Sequence, residues 1–288
     1  MSCSTVSGGS VRPMQNRPPS RAEARRYATL ATLAAKTAVA VGAAIRADDV
    51  EIVTHKKGRA NFATAADHAA EAAIKKRLWA HDAAIPILAE ESAQDDLRSA
   101  ERLWVVDPID GTLNFSRALP FYCVAIGYVE GGQVRAAAIH APRTGETFVA
   151  SHGGGTTLNG VRVGVSAVHE ATEAFAVTNL SFKAAAKKDS RFVALNATVV
   201  RLRVFGSAAL EIAYVACGKL DLFVHESLAP WDIAAAGLIA REAGAVVRSL
   251  STGKDATWDE PAVIIGNAAV VKDALERMSL VRLARSRS

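Results

Sequence analysis

A chain of 288 residues, half of them apolar, can bury a core the size of one large domain or of two halves. Its formal charge of +5 does not describe a basic, nucleic-acid-binding body: residues 1–26 carry five arginines against Glu23, residues 277–288 carry four arginines and no acid, and the stretch between them is acidic on balance. The three cysteines, Cys3, Cys123 and Cys217, form no disulfide or zinc spacing, no apolar stretch reads as long enough to span a membrane, and the polar first twenty residues lack the apolar centre of a secretory signal, so the expected compartment is the cytoplasm.

Residues 1–19 read as a disordered basic tail. Pro18-Pro19-Ser20 followed by Glu23 predicts a helix start, with Ser20 as N-cap and Glu23 closing a capping box; the alanine-rich stretch then runs helical to about Ala47. A second helix is predicted from about Asp67 to about His81, and short strands around Ile85–Leu88 and Leu103–Val106. Phe121–Glu130 and Gln133–His140, joined by Glu-Gly-Gly, form a hairpin, and Thr147–Ala150 a further strand. From about Ala174 strands and helices alternate: strand Val199–Phe205, helix Ser207–Cys217, strand Leu220–Val224, helix Trp231–Ala243, strands Ala245–Arg248 and Val263–Gly266, and a last helix from about Ala268. An α+β half over 20–165, an α/β half over 166–279 and a second basic tail over 280–288 is the economical division.

The feature most informative about function is WVVDPIDGTLNF at 104–115. An apolar run stops at two aspartates, Asp107 and Asp110, whose mutual repulsion calls for a cation between them; a hard divalent ion such as Mg²⁺ suits carboxylate, carbonyl and hydroxyl oxygens. More acids stand at element starts. Glu90-Glu91-Ser92 follows the strand at 85–88, Asp67 lies three residues after Thr64, and Asp232 follows Pro230-Trp231. Each has a plain structural explanation, as a capping box, a helix-dipole partner or an exposed loop pair. Together they make a site only if the fold converges them.

These segments carry a resemblance. TAAD at 64–67, AEES at 89–92, DPIDGTLNF at 107–115 and PWDIAAAG at 230–237 resemble, in order and spacing, the inositol monophosphatase family, over about residues 20–280. The resemblance implies a layered α-β-α-β-α sandwich of the inositol monophosphatase/fructose-1,6-bisphosphatase type. It implies a Mg²⁺-dependent, often lithium-sensitive, hydrolase of small phosphate monoesters, commonly a homodimer. Carried over by motif, Glu90, Asp107, Thr112 and the Ile109 carbonyl hold one Mg²⁺; Asp107, Asp110 and Asp232 hold a second; Glu90 also touches a third, weaker ion. Asp67 and Thr112 position the attacking water, Gly111 and Thr112 offer N–H groups to phosphate, and Gly206-Ser207-Ala208-Ala209 presents N–H groups to the polyol.

The substrate side departs from the pattern. Seven residues before Asp232, where inositol-type enzymes commonly have an acid that binds substrate hydroxyls, this chain has His225, with Glu226 beside it. Either a neutral imidazole makes that contact or Glu226 takes over. Lys56 matches a lysine near the family's site and equally reads as part of a solvated loop. Leu113-Asn114-Phe115 resembles inositol and broad sugar-phosphate enzymes more than bisphosphate nucleotidases or histidinol-phosphate relatives. The expected substrate is therefore a small polyol or sugar phosphate, inositol 1-phosphate first, with fructose 1,6-bisphosphate or histidinol phosphate as enzyme alternatives. An RNA- or transcription-complex-binding regulator on the same fold is the alternative of another class; membrane contact is not expected, nor nucleic acid except through the basic tails.

Overall fold

The structure is a computed structural model that describes residues 17–46, 54–57, 61–180 and 190–286. Helix α1 (Arg21–Arg46) begins at the expected capping box: the Ser20 N–H donates to Glu23 Oε2 (2.7 Å) and the Glu23 N–H to Ser20 Oγ (3.3 Å). Its buried stripe, Tyr27, Leu30, Ala31, Ala34, Ala38, Val41 and Ile45, recurs at helical spacing and lies on a sheet. By length and composition alone α1 could cross a membrane, which the sequence reading did not allow for; here one face is in a protein core. After the hairpin of β1 (Thr54–Lys57) and β2 (Asn61–Thr64) comes α2 (Ala65–Trp79), packed beside α1.

Seven strands follow: β3 (Ile87–Ala89), β4 (Arg102–Asp110), then, past the short helix α3 (Thr112–Ser116), β5 (Cys123–Glu130), β6 (Gln133–Ala141), β7 (Glu146–Ser151), β8 (Gly155–Leu158) and β9 (Val161–Arg162). They pair in chain order, parallel only between β3 and β4. The two-residue period of the pleat sorts their side chains. Trp104, Val106, Val124, Ile126 and Tyr128 face α1 and α2, while Leu103, Val105, Cys123 and Ala125 join the clusters on the other face.

The second sheet, ordered β11-β10-β12-β14-β13, comprises β10 (Phe175–Thr178), β11 (Arg201–Arg203), β12 (Leu222–His225), β13 (Val246–Ser249) and β14 (Val263–Gly266). Helices α5 (Ala208–Ala216) and α6 (Pro230–Glu242) fill the space between the sheets; α4 (Arg191–Thr198) and α7 (Ala268–Ser286) cover the outer face of the second. The layers run α-β-α-β-α, the sandwich that the family resemblance implied.

Three expectations need correction. The second strand does not stop at Val106: β4 continues through Asp110, paired at Asp107–Ala125 and Asp110–Cys123, with the register broken between them, where Pro108 has no N–H to donate. The acids therefore lie on a bulged strand end rather than on a free turn. The first strand begins at Ile87, just after Pro86, and not at Ile85. Of the C-terminal tail drawn over 280–288, residues 280–286 belong to α7, which runs to Ser286, and 287–288 lie outside the described residues.

Candidate active site

The register of β3 on β4 pairs Ala89 with Val106, so Glu90, just past the end of β3, stands beside Asp107, which is still on β4. Asp110 follows across the bulge. Asp67 comes from the first turn of α2 and Asp232 from the first turn of α6, where its Oδ2 accepts the Ala229 N–H at 2.7 Å. Carboxylate oxygens of Asp107, Asp110 and Asp232 lie within 4.8 Å of one another. Asp67, Asp107 and Asp110 are buried, and Glu90 and Asp232 nearly so.

The electrostatics are those of crowded acids. Burial, followed by repulsion from Asp232, Asp67, Glu91 and Asp110, pushes Glu90 up to about 8. Burial and then the Asp110 charge push Asp232 to about 7. Asp107 is raised well above the carboxylate range by burial and by Glu90, Asp110, Asp232 and Asp67. Burial raises Asp110 as well, against hydrogen bonds from Ser207, Ala209 and Ala208 that pull it down. Among the described residues no lysine, arginine or histidine pairs with Glu90, Asp107, Asp110 or Asp232. Asp107 Oδ1 is buried with no hydrogen-bond partner. An orphan carboxylate oxygen among four other acids fits a divalent cation, whose charge compensates the group without a hydrogen-bond donor.

Thr112 closes the site on one side. Its hydroxyl lies 3.4 Å from Asp67 Oδ1 and 3.0 Å from the Ile109 carbonyl oxygen. Gly111, between Asp110 and Thr112, has φ +94°, and a Cβ there would sit a tight 3.1 Å from both the Phe121 carbonyl oxygen and Ser207 Cβ, so any side chain would strain the turn.

The segment at 206–209 meets the acid cluster. The N–H groups of Ala208 (3.2 Å) and Ala209 (2.7 Å) and the Ser207 hydroxyl (2.6 Å) all go to the Asp110 carboxylate, and the Gly206 N–H goes to Glu211. The helix start is committed to an acid of the site, which caps it from another part of the chain. Cys123, read as a core thiol, is buried with its sulfur 3.7 Å from Asp110 Oδ2.

His225 ends β12, buried, stacked on Phe223 (centroids 5.8 Å apart, planes 12°). Burial pushes its imidazole down to about 4, so the ring is neutral; Nδ1 accepts the Ser227 N–H at 3.0 Å, which leaves the ring proton on Nε2. Glu226 is exposed and holds Arg191 at 2.6 Å. The side chains of Lys56 and Thr64 lie outside the described residues.

Two residues of this region hold backbone groups in a way the sequence reading did not anticipate: Asn114, read there only as part of Leu113-Asn114-Phe115, and Glu211, not singled out at all. Asn114 donates to the Phe121 and Phe205 carbonyl oxygens (2.8 and 2.7 Å). Glu211, buried and pushed to about 8 by burial, accepts the Phe205 and Gly206 N–H groups. A lone glutamate within the apolar run AALEIAYVA was the available signal for the second; Asn114 had none beyond its place in the acidic motif.

A cluster of buried or nearly buried, cation-deficient acids at the ends of β3 and β4 and the first turns of α2 and α6 defines a divalent-metal centre of the kind that handles phosphate esters. Comparison with known proteins makes the class specific. The inositol monophosphatase family matches residues 23–284, and the chain belongs to that family. A curated relative from Thermotoga maritima, a fructose-1,6-bisphosphatase/inositol-1-monophosphatase, is 36% identical over 225 residues, 78% of this chain and 84% of its own. The Nus factor SuhB of Vibrio cholerae is 36% identical over 208 residues, 71% of this chain and 78% of its own. Among solved structures, the extragenic suppressor protein SuhB of Bartonella henselae superposes with a TM-score of 0.79 at 29% identity, covering 88% of this chain and 98% of that one. The family is Mg²⁺-dependent, and the acid cluster fits that ion.

Proposed function

We propose that this phosphatase hydrolyses the monoester of a small polyol or sugar phosphate, inositol 1-phosphate before fructose 1,6-bisphosphate or histidinol phosphate. The observation that carries the reading is the meeting of Asp67, Glu90, Asp107, Asp110 and Asp232 beside Thr112, with Asp107 Oδ1 left without a partner. Glu90, Asp107, Asp110, Asp232, the Ile109 carbonyl and Thr112 would hold two Mg²⁺ ions, Glu90 also a third. When bound, such ions supply a water of lowered pKa and neutralise charge that develops on the ester oxygens.

The chain's own groups account for the rest. The Thr112 hydroxyl orients the attacking water and passes its proton toward Asp67, whose burial suits a general base. Gly111 and Thr112 turn backbone N–H groups toward the phosphate. Water attacks phosphorus directly, with no covalent phosphoenzyme. His225, neutral and with Nε2–H to offer, makes the substrate hydroxyl contact that an acid makes in inositol-type enzymes. We place the protein in the cytoplasm, as a homodimer.

Phosphate release with and without Mg²⁺ from inositol 1-phosphate, fructose 1,6-bisphosphate, histidinol phosphate and 3′-phosphoadenosine 5′-phosphate tests the reading. Mg²⁺-dependent release, fastest from the first, is expected; no release from any substrate by folded protein would overturn it. The relative named as a Nus factor motivates a second reading, a regulator of transcription complexes. Removing residues 1–19, which carry Arg12 and Arg17, leaves turnover intact in an enzyme and removes partner binding in a regulator that uses the leader.

A further inference from the structure

The peptide unit between Phe205 and Gly206 is held from both ends. In a trans peptide the C=O and N–H point in opposite directions, so two side chains on opposite sides can fix its plane. Here the Phe205 carbonyl oxygen accepts from Asn114 Nδ2 at 2.7 Å, while the Gly206 N–H donates to Glu211 Oε1 at 3.0 Å. The same Glu211 oxygen takes the Phe205 N–H at 2.8 Å, and the same Asn114 nitrogen donates to the Phe121 carbonyl oxygen at 2.8 Å, two residues before Cys123, the β5 partner of Asp110. Gly206, with φ +84°, has the Asn114 side chain 3.4 Å from where a Cβ would stand. One residue further on, Ser207 delivers its hydroxyl to Asp110, and Ala208 and Ala209 their N–H groups.

We infer that Asn114 and Glu211 are positioning residues of the metal centre. Neither belongs to the acid cluster. They clamp the 205–206 peptide so that the start of α5 meets Asp110 in one geometry, and thereby set where Asp110 presents its oxygens to a cation. Asn114 is on the same short helix as Thr112, so the clamp also joins the two sides of the site: α3, which bears the water-orienting hydroxyl, and α5, which carries the donors to Asp110. Asn114 supplies the donor and Glu211 the acceptor, which decides the variants. An aspartate at 114 would oppose a carboxylate to two carbonyl oxygens. A glutamine at 211 keeps an acceptor oxygen and should substitute.

The inference rests on the metal-centre part of the proposed function, and its test reads the metal directly. Mg²⁺ affinity by calorimetry, melting temperature without Mg²⁺, and kcat and KM for phosphate release are measured for the full chain and for Asn114→Ala, Asn114→Asp, Glu211→Ala and Glu211→Gln. Expected is a Mg²⁺ Kd raised about tenfold, equivalent to about 1.4 kcal/mol, in Asn114→Ala, Asn114→Asp and Glu211→Ala. In those three variants kcat should fall with KM little changed, whereas Glu211→Gln should stay within about twofold of the parent in Kd and kcat. A purely structural role would lower the melting temperature and leave Mg²⁺ affinity unchanged below it; that result overturns the inference. If any alanine variant fails to fold, Glu211→Gln and Asn114→Asp still decide it: equal Mg²⁺ affinities in these two would refute the donor–acceptor logic. A parent chain that binds Mg²⁺ yet hydrolyses no ester would sink the phosphatase reading while the Kd series still judges the clamp; a parent that binds no Mg²⁺ overturns the clamp itself.

Discussion

The strand end at 107–112 and the helix start at 205–211 meet at Asp110 and are opposite in character. The first brings carboxylates together with too few donors; the second brings donors together and spends them on one of those carboxylates. Asp110 receives a hydroxyl and two N–H groups, whereas Asp107 Oδ1 receives nothing. The fold thus compensates one acid with its own dipoles and leaves its neighbour for a cation. Asp107→Asn should break this asymmetry most severely. Partners of metal ligands already cost about 10–100-fold when removed, so loss of the ligand charge itself should cost more than about a hundredfold in Mg²⁺-dependent turnover. Without Mg²⁺ the variant should melt no lower than the parent, because one repelling charge has gone. Retained turnover, or a collapse of metal-free stability, would mean that Asp107 is a structural acid.

The same imbalance predicts how stability depends on pH. Glu90 and Asp232 titrate near 8 and 7 in the folded chain, against 4.5 and 3.8 for the free groups. For acids whose folded pKa is raised, the folded state binds more protons than the unfolded one between those limits. Their stabilising contribution is complete below about pH 4 and is lost as pH rises through 7 to 8. Metal-free protein should therefore melt several degrees lower at pH 8.5 than at pH 5.5, and saturating Mg²⁺ should recover most of the difference. Melting curves at the two pH values, with and without the ion, check this; a flat metal-free profile would deny that the acids repel.

How much of this was readable beforehand follows from the range of the forces involved. The capping box at Ser20–Glu23, the hairpin at 121–140 and the acids at element starts are set by neighbours within a few residues, and the sequence displays them. The bulged extension of β4 to Asp110 is not local: pairing with Ala125 and Cys123 holds those residues as strand where Pro and Gly suggest a turn. The engagement of 206–209 with Asp110 is equally non-local. Free helix N–H groups look available in a sequence, and only the distant Asp110 reveals them as taken. Asn114 and Glu211 act across 91 and a handful of residues respectively, on backbone groups that carry no sequence signature.

A milder change tests the donor side of the comparison. Ser207→Ala removes the 2.6 Å hydroxyl bond to Asp110 but spares the two N–H groups. A bond to a charged group contributes about 1.5–3 kcal/mol, so metal-free protein at pH 8.5 should melt a few degrees lower. At pH 4 the loss should shrink, because a carboxyl nearer its protonated form needs the donor less. An equal loss at both pH values would show that Ser207 serves the start of α5 rather than the charge of Asp110.

The smallest effect is expected beyond the acids, where His225 and Glu226 stand side by side in the chain but in different surroundings. Glu226 is exposed and bound to Arg191 at 2.6 Å, and an exposed pair of this kind is worth about 0–1 kcal/mol. Glu226→Gln should therefore leave both the melting temperature and the ranking of phosphate substrates unchanged. His225 is buried, neutral and oriented by Ser227, so His225→Glu exchanges an N–H donor for an acceptor and should reorder the substrates toward those rich in hydroxyl donors. The two variants form one experiment. If Glu226→Gln reorders the substrates and His225→Glu does not, the loop moves when substrate binds and the acid takes the contact; the opposite pattern places substrate selection on the imidazole.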